Sequence, residues 1–269
     1  MSKSSSLPRA CWRAATSPEI VLFHSRYDWA FMPHTHGDAT LLVVTDGAVE
    51  LGIGSRQHLA RKGDLAIIGP HQVHWAKPAA PGGWVMRSAH LPIHVISRAA
   101  GISVSDCSQM QFDSPVRSIA SIASSFVEVH EATGTMRASP NDMQGFLGEL
   151  YRTIDDFGPF QSSNDAQDDG LTEARNLLSD CAEETEVGKI ASKLGLSVFS
   201  FIRRYEKAFG IAPHGWRMQS RANQAARLLR ERQSAAATAA FCGFADQSHM
   251  VRVFKKVFGI TPGQYAMPY

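Results

Sequence analysis

Four cysteines in 269 residues, Cys11, Cys107, Cys181 and Cys242, are too few and too scattered for a disulfide framework or a zinc cluster. None forms a CxxC pair, which points to reduced thiols in a cytoplasmic compartment, packed as small apolar side chains. No apolar run approaches the roughly 20 residues of a membrane span. The first thirty residues also lack the basic start, apolar run and cleavage site of a secretory leader, so no membrane partner is expected. Walker, Rossmann and Ser-His-Asp patterns are missing too, which removes the commonest enzyme chemistries and leaves no cofactor implied. What is present is 44% hydrophobic and 19% charged, the composition of a globular chain long enough for two domains.

The net charge of +2 conceals a division. Residues 1–170 hold 13 Lys and Arg against 17 Asp and Glu, a net of −4, whereas residues 171–269 hold 14 against 8, a net of +6. From Val187 onward the balance is 13 basic to 3 acidic. Only the C-terminal part is therefore suited to a polyanion.

Texture divides the chain in the same place. Residues 1–18, rich in Ser, Ala and Pro, read as a flexible arm. Short apolar runs follow, at Ile20–Phe23, Leu41–Thr45, Val49–Ile53, Leu65–Ile68 and Trp84–Met86, with turn chemistry at Asp46-Gly47 and Lys62-Gly63-Asp64. This spacing suggests a small antiparallel barrel or sandwich. Helical periodicity then appears: Ile119, Ile122, Phe126 and Val129 share one face, and Met143, Phe146, Leu147, Leu150, Tyr151 and Ile154 another. These helices suit barrel closure or a homodimer contact. The expected domains are 19–157 for the barrel, 158–170 for a polar linker and 171–269 for a helical domain. The fold class is accordingly α+β, an antiparallel β-barrel with helices followed by an all-α domain.

Within the helical domain a pattern occurs twice, 49 residues apart. Arg203, Tyr205, Lys207, Phe209, Gly210, Ile211 and Pro213 return as Arg252, Phe254, Lys256, Phe258, Gly259, Ile260 and Pro262. Gly195 and Gly243 precede the copies and fit tight turns, and Gly215–Arg232 spaces them. Helix, turn and basic helix, written twice, describes two elements able to enter successive major grooves. The segment Gly243-Phe244-Ala245-Asp246-Gln247-Ser248-His249, continuing through Phe254 to Tyr265, closely resembles the AraC/XylS family of bacterial transcription regulators. The first copy fits in register, and the resemblance covers roughly residues 171–267.

That resemblance implies a DNA-binding domain of two helix-turn-helix units joined by a long helix. It puts Phe199, Ile202 and Arg203 on the base-facing side of the first recognition helix, and Gln247, Ser248, His249 and Arg252 on that of the second. Arg and Gln suit bidentate contacts to guanine and adenine edges, while the apolar first set suits thymine methyls. Lys207, Lys255 and Lys256 suit phosphates. Phe201, Tyr205, Phe209, Met250, Phe254 and Phe258 read as core. Ser234–Ala240 has Ala and Thr where larger aliphatic residues are usual in the family, so packing before the second turn should be thin.

The N-terminal half resembles the cupin-like effector domain of the same family. Pro33-His34-Thr35-His36-Gly37 is similar to the first cupin motif, and Gly63–His74 to the second. His34, His36 and His74 align with three of the four usual metal ligands; Thr40 and Leu41 stand where the glutamate should fall. No metal is expected. The small-molecule effector site would instead use His34, His36, His74, Trp75, Trp84 and Arg87, with Trp29, Phe31 and Met86 as further walls. His71 is either a further ligand or a turn residue. The expected protein is a transcription regulator, an activator contacting promoter DNA and RNA polymerase, with no catalytic residues. The alternative is a metal-dependent cupin enzyme or a metal sensor using His34, His36 and His74.

Overall fold

The computed structural model describes residues 10–14, 17–54, 56–101, 103–108, 115–134, 140–152, 169–180 and 185–266. The expected linker at 158–170 lies outside them except for Asp169 and Gly170, which open a helix. Two compact units result, one of sheet with helices and one mostly helical.

Among the described residues nine strands form one sheet: β1 (Ala10–Ala14), β2 (Ser17–Tyr27), β3 (Phe31–His34), β4 (Ala39–Ile53), β5 (Arg56–Arg61), β6 (Leu65–Ile68), β7 (His74–Pro78), β8 (Trp84–Leu91) and β9 (Val116–Arg117). The path runs β1-β2-β8-β4-β6-β9, with β5 and β7 on the distal half of β4 and β3 on β7. β1 corrects the expected arm, because Ala10–Ala14 is zipped antiparallel onto β2 and Ala14 is buried.

A second correction concerns Asp46-Gly47, which is not a hairpin turn. β4 continues through it, pairing with β6 as far as Val43 and with β8 up to Gly47, and with β5 and β7 beyond. The ladder slips between Val44 and Asp46, and Gly47 takes φ 73°, a conformation open chiefly to glycine. A side chain at Gly47 would also collide with the Gly83 carbonyl oxygen. One bulge thus bends a 15-residue strand so that it serves both halves of the sheet.

The two faces bury different cores. Alternate residues Leu42, Val44, Val49, Leu51, Ile53, Ala66, Ile68 and Trp84 close on each other in the interior. The opposite face carries Leu41, Val43, Leu65, Ile67, Ala89 and Leu91, covered by Phe126, Phe146 and Leu147. Those last three come from α3 (Ala120–Gly134) and α4 (Pro140–Arg152), which follow the shorter α1 (Ile93–Ala100) and α2 (Val104–Ser108). A polar clamp fastens α3. Arg87 donates from Nη1 to His130 Nδ1 at 3.1 Å and from Nη2 to Glu131 at 2.6 Å. Since an arginine only donates, His130 Nδ1 accepts, so Nε2 carries the proton and donates to the Phe23 carbonyl at 2.9 Å. Burial first, then the neighbouring Arg87 charge, push the His130 pKa down to about 3.

The second unit holds α5 (Asp169–Ser179), α6 (Val187–Lys193), α7 (Val198–Phe209), α8 (Pro213–Arg230), α9 (Ala235–Phe241), α10 (Gln247–Phe258) and α11 (Pro262–Ala266). Local signals account for the boundaries. Ser197 and Asp246 cap α7 and α10, accepting from the backbone N–H groups of Ser200 and His249. Gly210 and Gly259 end the same helices, both at φ 73°. Pro213 and Pro262 then begin the next ones, where the missing N–H costs nothing. Among the described residues no helix is long and apolar enough to cross a membrane.

Two outcomes follow for stability. His130 is neutral in the fold and takes up a proton more readily once unfolded. Stability is therefore fully present above its ordinary pKa of 6.5 and is lost as pH falls from there towards 3. His130→Gln, which can still donate and accept, should lose about 2 kcal/mol less than the parent between pH 7 and pH 5 in urea titrations. In α9, Thr238 is fully buried and its Oγ1 has no hydrogen-bond partner among the described residues. Thr238→Val should raise stability by about 1 kcal/mol, seen as a higher melting temperature.

Candidate functional site

In the second unit α7 and α10 each pair a buried aromatic face with an exposed one. In α7 the residues Phe201, Tyr205 and Phe209 are buried at four-residue intervals, with ring centroids 5.6 and 4.6 Å apart. Their burial turns the opposite face outward: Phe199 is 74% exposed and Arg203 and Lys207 are exposed, while Ile202 is half-buried. In α10, Met250, Phe254, Val257 and Phe258 are buried, and Gln247, Ser248, Arg252, Lys255 and Lys256 are exposed. His249 is half-buried, and its ring stands edge-on to Phe244 at 5.5 Å, a contact that orients the imidazole.

Between them α8 spans 18 residues, about 27 Å at the usual rise. Tyr205, Phe209 and Trp216 cluster at its start, with Arg175 of α5 set 5.3 Å from the Phe209 ring centroid. Phe254, Phe258 and Tyr265 cluster near its end, where Arg230 donates to the Tyr265 hydroxyl at 3.3 Å. Both aromatic clusters are buried scaffolds for the exposed faces.

In the first unit the interior of the sheet separates into an aromatic and a polar part. Trp84 is 1% exposed and stacks on Tyr27 at 5.4 Å, with Trp29 and Phe31 edge-on to the same tyrosine at 5.1 Å. Strand alternation puts Ser88 and His90 on the same side of β8 as Trp84 and Met86, and Thr40 on the same side of β4 as Leu42 and Val44. His90 is opposite Thr40 in the ladder, and its ring centroid lies 4.7 Å from that of Phe23. Thr40 Oγ1 and Trp84 Nε1 are buried without a hydrogen-bond partner among the described residues. His90, Ser88 and Thr40 escape a motif-based reading, and only the period-two count along β8 and β4 would have found them.

Two expected effector residues face elsewhere. Arg87 lies on the helix-covered side with Ala89 and Leu91, committed to His130 and Glu131. Trp75 shares the outer side of β7 with Lys77, because Ala76 points into the interior core; its indole lies over Gly52 of β4. A one-residue change of parity separates wall from exterior, and the motif alone carries no parity.

His34, His36 and His74 are each buried, and one nitrogen of each lies within 4.8 Å of the others. The pairing of β3 with β7 accounts for the approach of His34 and His74. His74 Nδ1 is 2.9 Å from the Gln72 carbonyl, which can only accept, so Nδ1 is protonated and Nε2 holds the lone pair. A zinc held at about 2.0–2.1 Å would need the nitrogens to close to roughly 3.4 Å. The donor set fits such an ion in kind. His71 is a turn residue at φ 56° and is not part of this group.

Comparison with known proteins gives this geometry a family. Residues 17–151 match the model of the AraC-like ligand binding domain, and residues 190–267 that of a helix-turn-helix domain. The uncharacterized HTH-type transcriptional regulator YbfI of Bacillus subtilis is 24% identical over 223 residues, 82% of this chain and 81% of its own length. The transcriptional activator NphR of a Rhodococcus species is 24% identical over 250 residues, 83% of this chain and 68% of that protein. The probable transcriptional regulator LumQ of Photobacterium leiognathi is 29% identical over 84 residues, 31% of this chain and only 34% of LumQ. Among solved structures, ToxT of Vibrio cholerae bound to an unsaturated fatty acid superposes with a TM-score of 0.55 at 11% identity, covering 92% of this chain and 94% of ToxT. With one family model spanning half its length and a second spanning both α7 and α10, the chain belongs to the AraC family of transcriptional regulators.

Proposed function

We propose that the chain is a one-component activator. A small organic effector bound in the interior of the sheet alters how α7 and α10 engage a promoter, and the bound protein then recruits RNA polymerase. The observation that carries this reading is the outward row Gln247, Ser248, Arg252, Lys255 and Lys256, set on a helix whose other side is wholly apolar. The ~27 Å of α8 is of the order of the roughly 34 Å between successive major grooves on one face of a duplex. The activator role is supported by the name of NphR, and the small-molecule effector by the fatty acid bound to ToxT. An interior with an aromatic part and a polar part at Thr40, Ser88 and His90 suits a ligand with an apolar body and a hydrogen-bonding head.

A second reading is favoured by the convergence of His34, His36 and His74, which would make a divalent ion the effector. Such an ion would supply charge and a fixed coordination geometry, and the three imidazoles would hold it. Protein purified without a histidine tag should then bind one equivalent of zinc, with His74→Gln losing it. Less than a tenth of an equivalent in the parent sinks this reading.

For DNA, Arg252→Ala should weaken binding to a site selected from randomised duplex by about 10-fold or more, while random-sequence DNA loses about 3-fold. Lys255→Ala should weaken both about equally and reduce the salt slope by about one unit. Gel-shift titrations at several salt concentrations read both effects. Equal losses on both DNAs for Arg252→Ala would reduce that residue to a phosphate contact.

A further inference from the structure

The turns before α7 and α10 each open on a glycine, the second turn being one residue longer before its cap, and they differ in surroundings. Gly195 and Gly243 both adopt left-handed backbone, at φ 65° and 70°. Nothing lies within 4 Å of the Cβ position of Gly195. At Gly243 the same position is 3.1 Å from Nη2, 3.2 Å from Cζ and 3.4 Å from Nε of Arg221. Three guanidinium atoms at nearly one distance mean that the flat face of the group lies against the turn. Arg221 is 7% exposed and sits midway along α8. One helical turn earlier on α8, Arg217 is also buried and donates to the Thr185 carbonyl just before α6. The spacer helix therefore sends one buried guanidinium towards each helix-turn-helix unit.

We propose that Arg221 is a positioning residue for DNA recognition: by lying against the Gly243 turn it sets the direction in which α10 leaves α8, and hence the spacing of the two base-pair segments the protein reads. α9 makes this brace necessary. Its buried side chains are only Thr238 and Ala239, whereas the corresponding α6 buries Ile190 and Ala191. A helix that packs through such small side chains gives the turn after it little backing beyond the buried Cys242 and Phe244 of the turn itself, and glycine is the residue that lets a guanidinium come so close. Lysine cannot replace it, because an ammonium on a flexible stem has no face to present.

This inference rests on the reading that both α7 and α10 contact DNA. The test starts from duplexes that the full-length parent enriches out of a randomised pool of about 30 base pairs, long enough for two major-groove segments. Each enriched two-segment site is then remade with one base pair added or removed between the segments. The parent should lose about 10-fold or more in affinity on the altered spacings. Arg221→Lys should lose less than about 3-fold on them while keeping the same base preferences within each segment. Gly243→Ala, which pushes a Cβ against the guanidinium, should behave likewise. Gly195→Ala carries the same backbone strain without that contact and should keep the parent's spacing discrimination. Circular dichroism melts of each variant verify folding, and the glycine pair decides the question should Arg221→Lys unfold. Spacing discrimination unchanged in Gly243→Ala, or relaxed equally in both glycine variants, overturns the role of Arg221. Enrichment of a single segment would overturn the two-helix reading and this inference with it.

Discussion

A helix that reads DNA must be held from one side only, and in this chain that constraint is met by aromatic rings at four-residue spacing. Phe201, Tyr205 and Phe209 do this for α7, and Phe254 and Phe258 for α10, the latter two with centroids 4.4 Å apart. Fully burying a phenylalanine is worth about 1.5–3 kcal/mol, so each set outweighs the modest intrinsic stability of a 12-residue helix. The outward face is then free to be chosen for DNA. Phe199 can remain 74% exposed because it bears no responsibility for holding α7 in place.

The same division of faces explains why the two heads differ. Counting 49 residues on from Val198, Phe199 and Ser200 reaches Gln247, Ser248 and His249, so a largely apolar trio is exchanged for a polar one on helices that share an aromatic inner face. Even the caps differ in chemistry. A neutral Ser197 begins α7 and a charged Asp246 begins α10, where its 2.6 Å bond to the His249 N–H holds the first turn that carries the polar trio. An anion at a helix start is favoured by the helix dipole, and it also keeps negative charge near a surface meant for phosphates. In the proposed DNA contact Arg252 and the two lysines would supply the attraction that Asp246 opposes.

In the sheet the corresponding constraint is parity. Every second residue of β8 enters the interior, so Met86, Ser88 and His90 are separated from Arg87, Ala89 and Leu91 by nothing more than the pleat. Arg87 shows how firmly this decides role. A cation expected among the effector's polar partners is engaged instead with Glu131, 56% exposed at its side chain, and with the buried ring of His130. Surface exposure of the carboxylate screens that ion pair, so the hydrogen bond to the buried imidazole and the close packing around it do most to hold α3.

How much of this is legible in the sequence follows from how local each signal is. The helical unit is readable to within a residue or two because its signals act over four residues or fewer: Ser197 and Asp246 as caps, Gly210 and Gly259 as stops, aromatic rings at i and i+4. The three histidines are also legible, since the motif spacing carries them to the paired strands β3 and β7 and the neighbouring loop. Trp75 and Arg87 are not, because which way they face depends on strands distant in the chain and on whether a bulge lies between. Asp46-Gly47 illustrates the limit. The dipeptide is as good a turn signal as any in the chain. What makes it a bend inside β4 is Gly83, 36 residues further on, whose carbonyl occupies the space a side chain at Gly47 would need. No window short enough to be read by pattern contains both glycines, so the longest strand in the fold is also the one whose extent the pattern could not reveal.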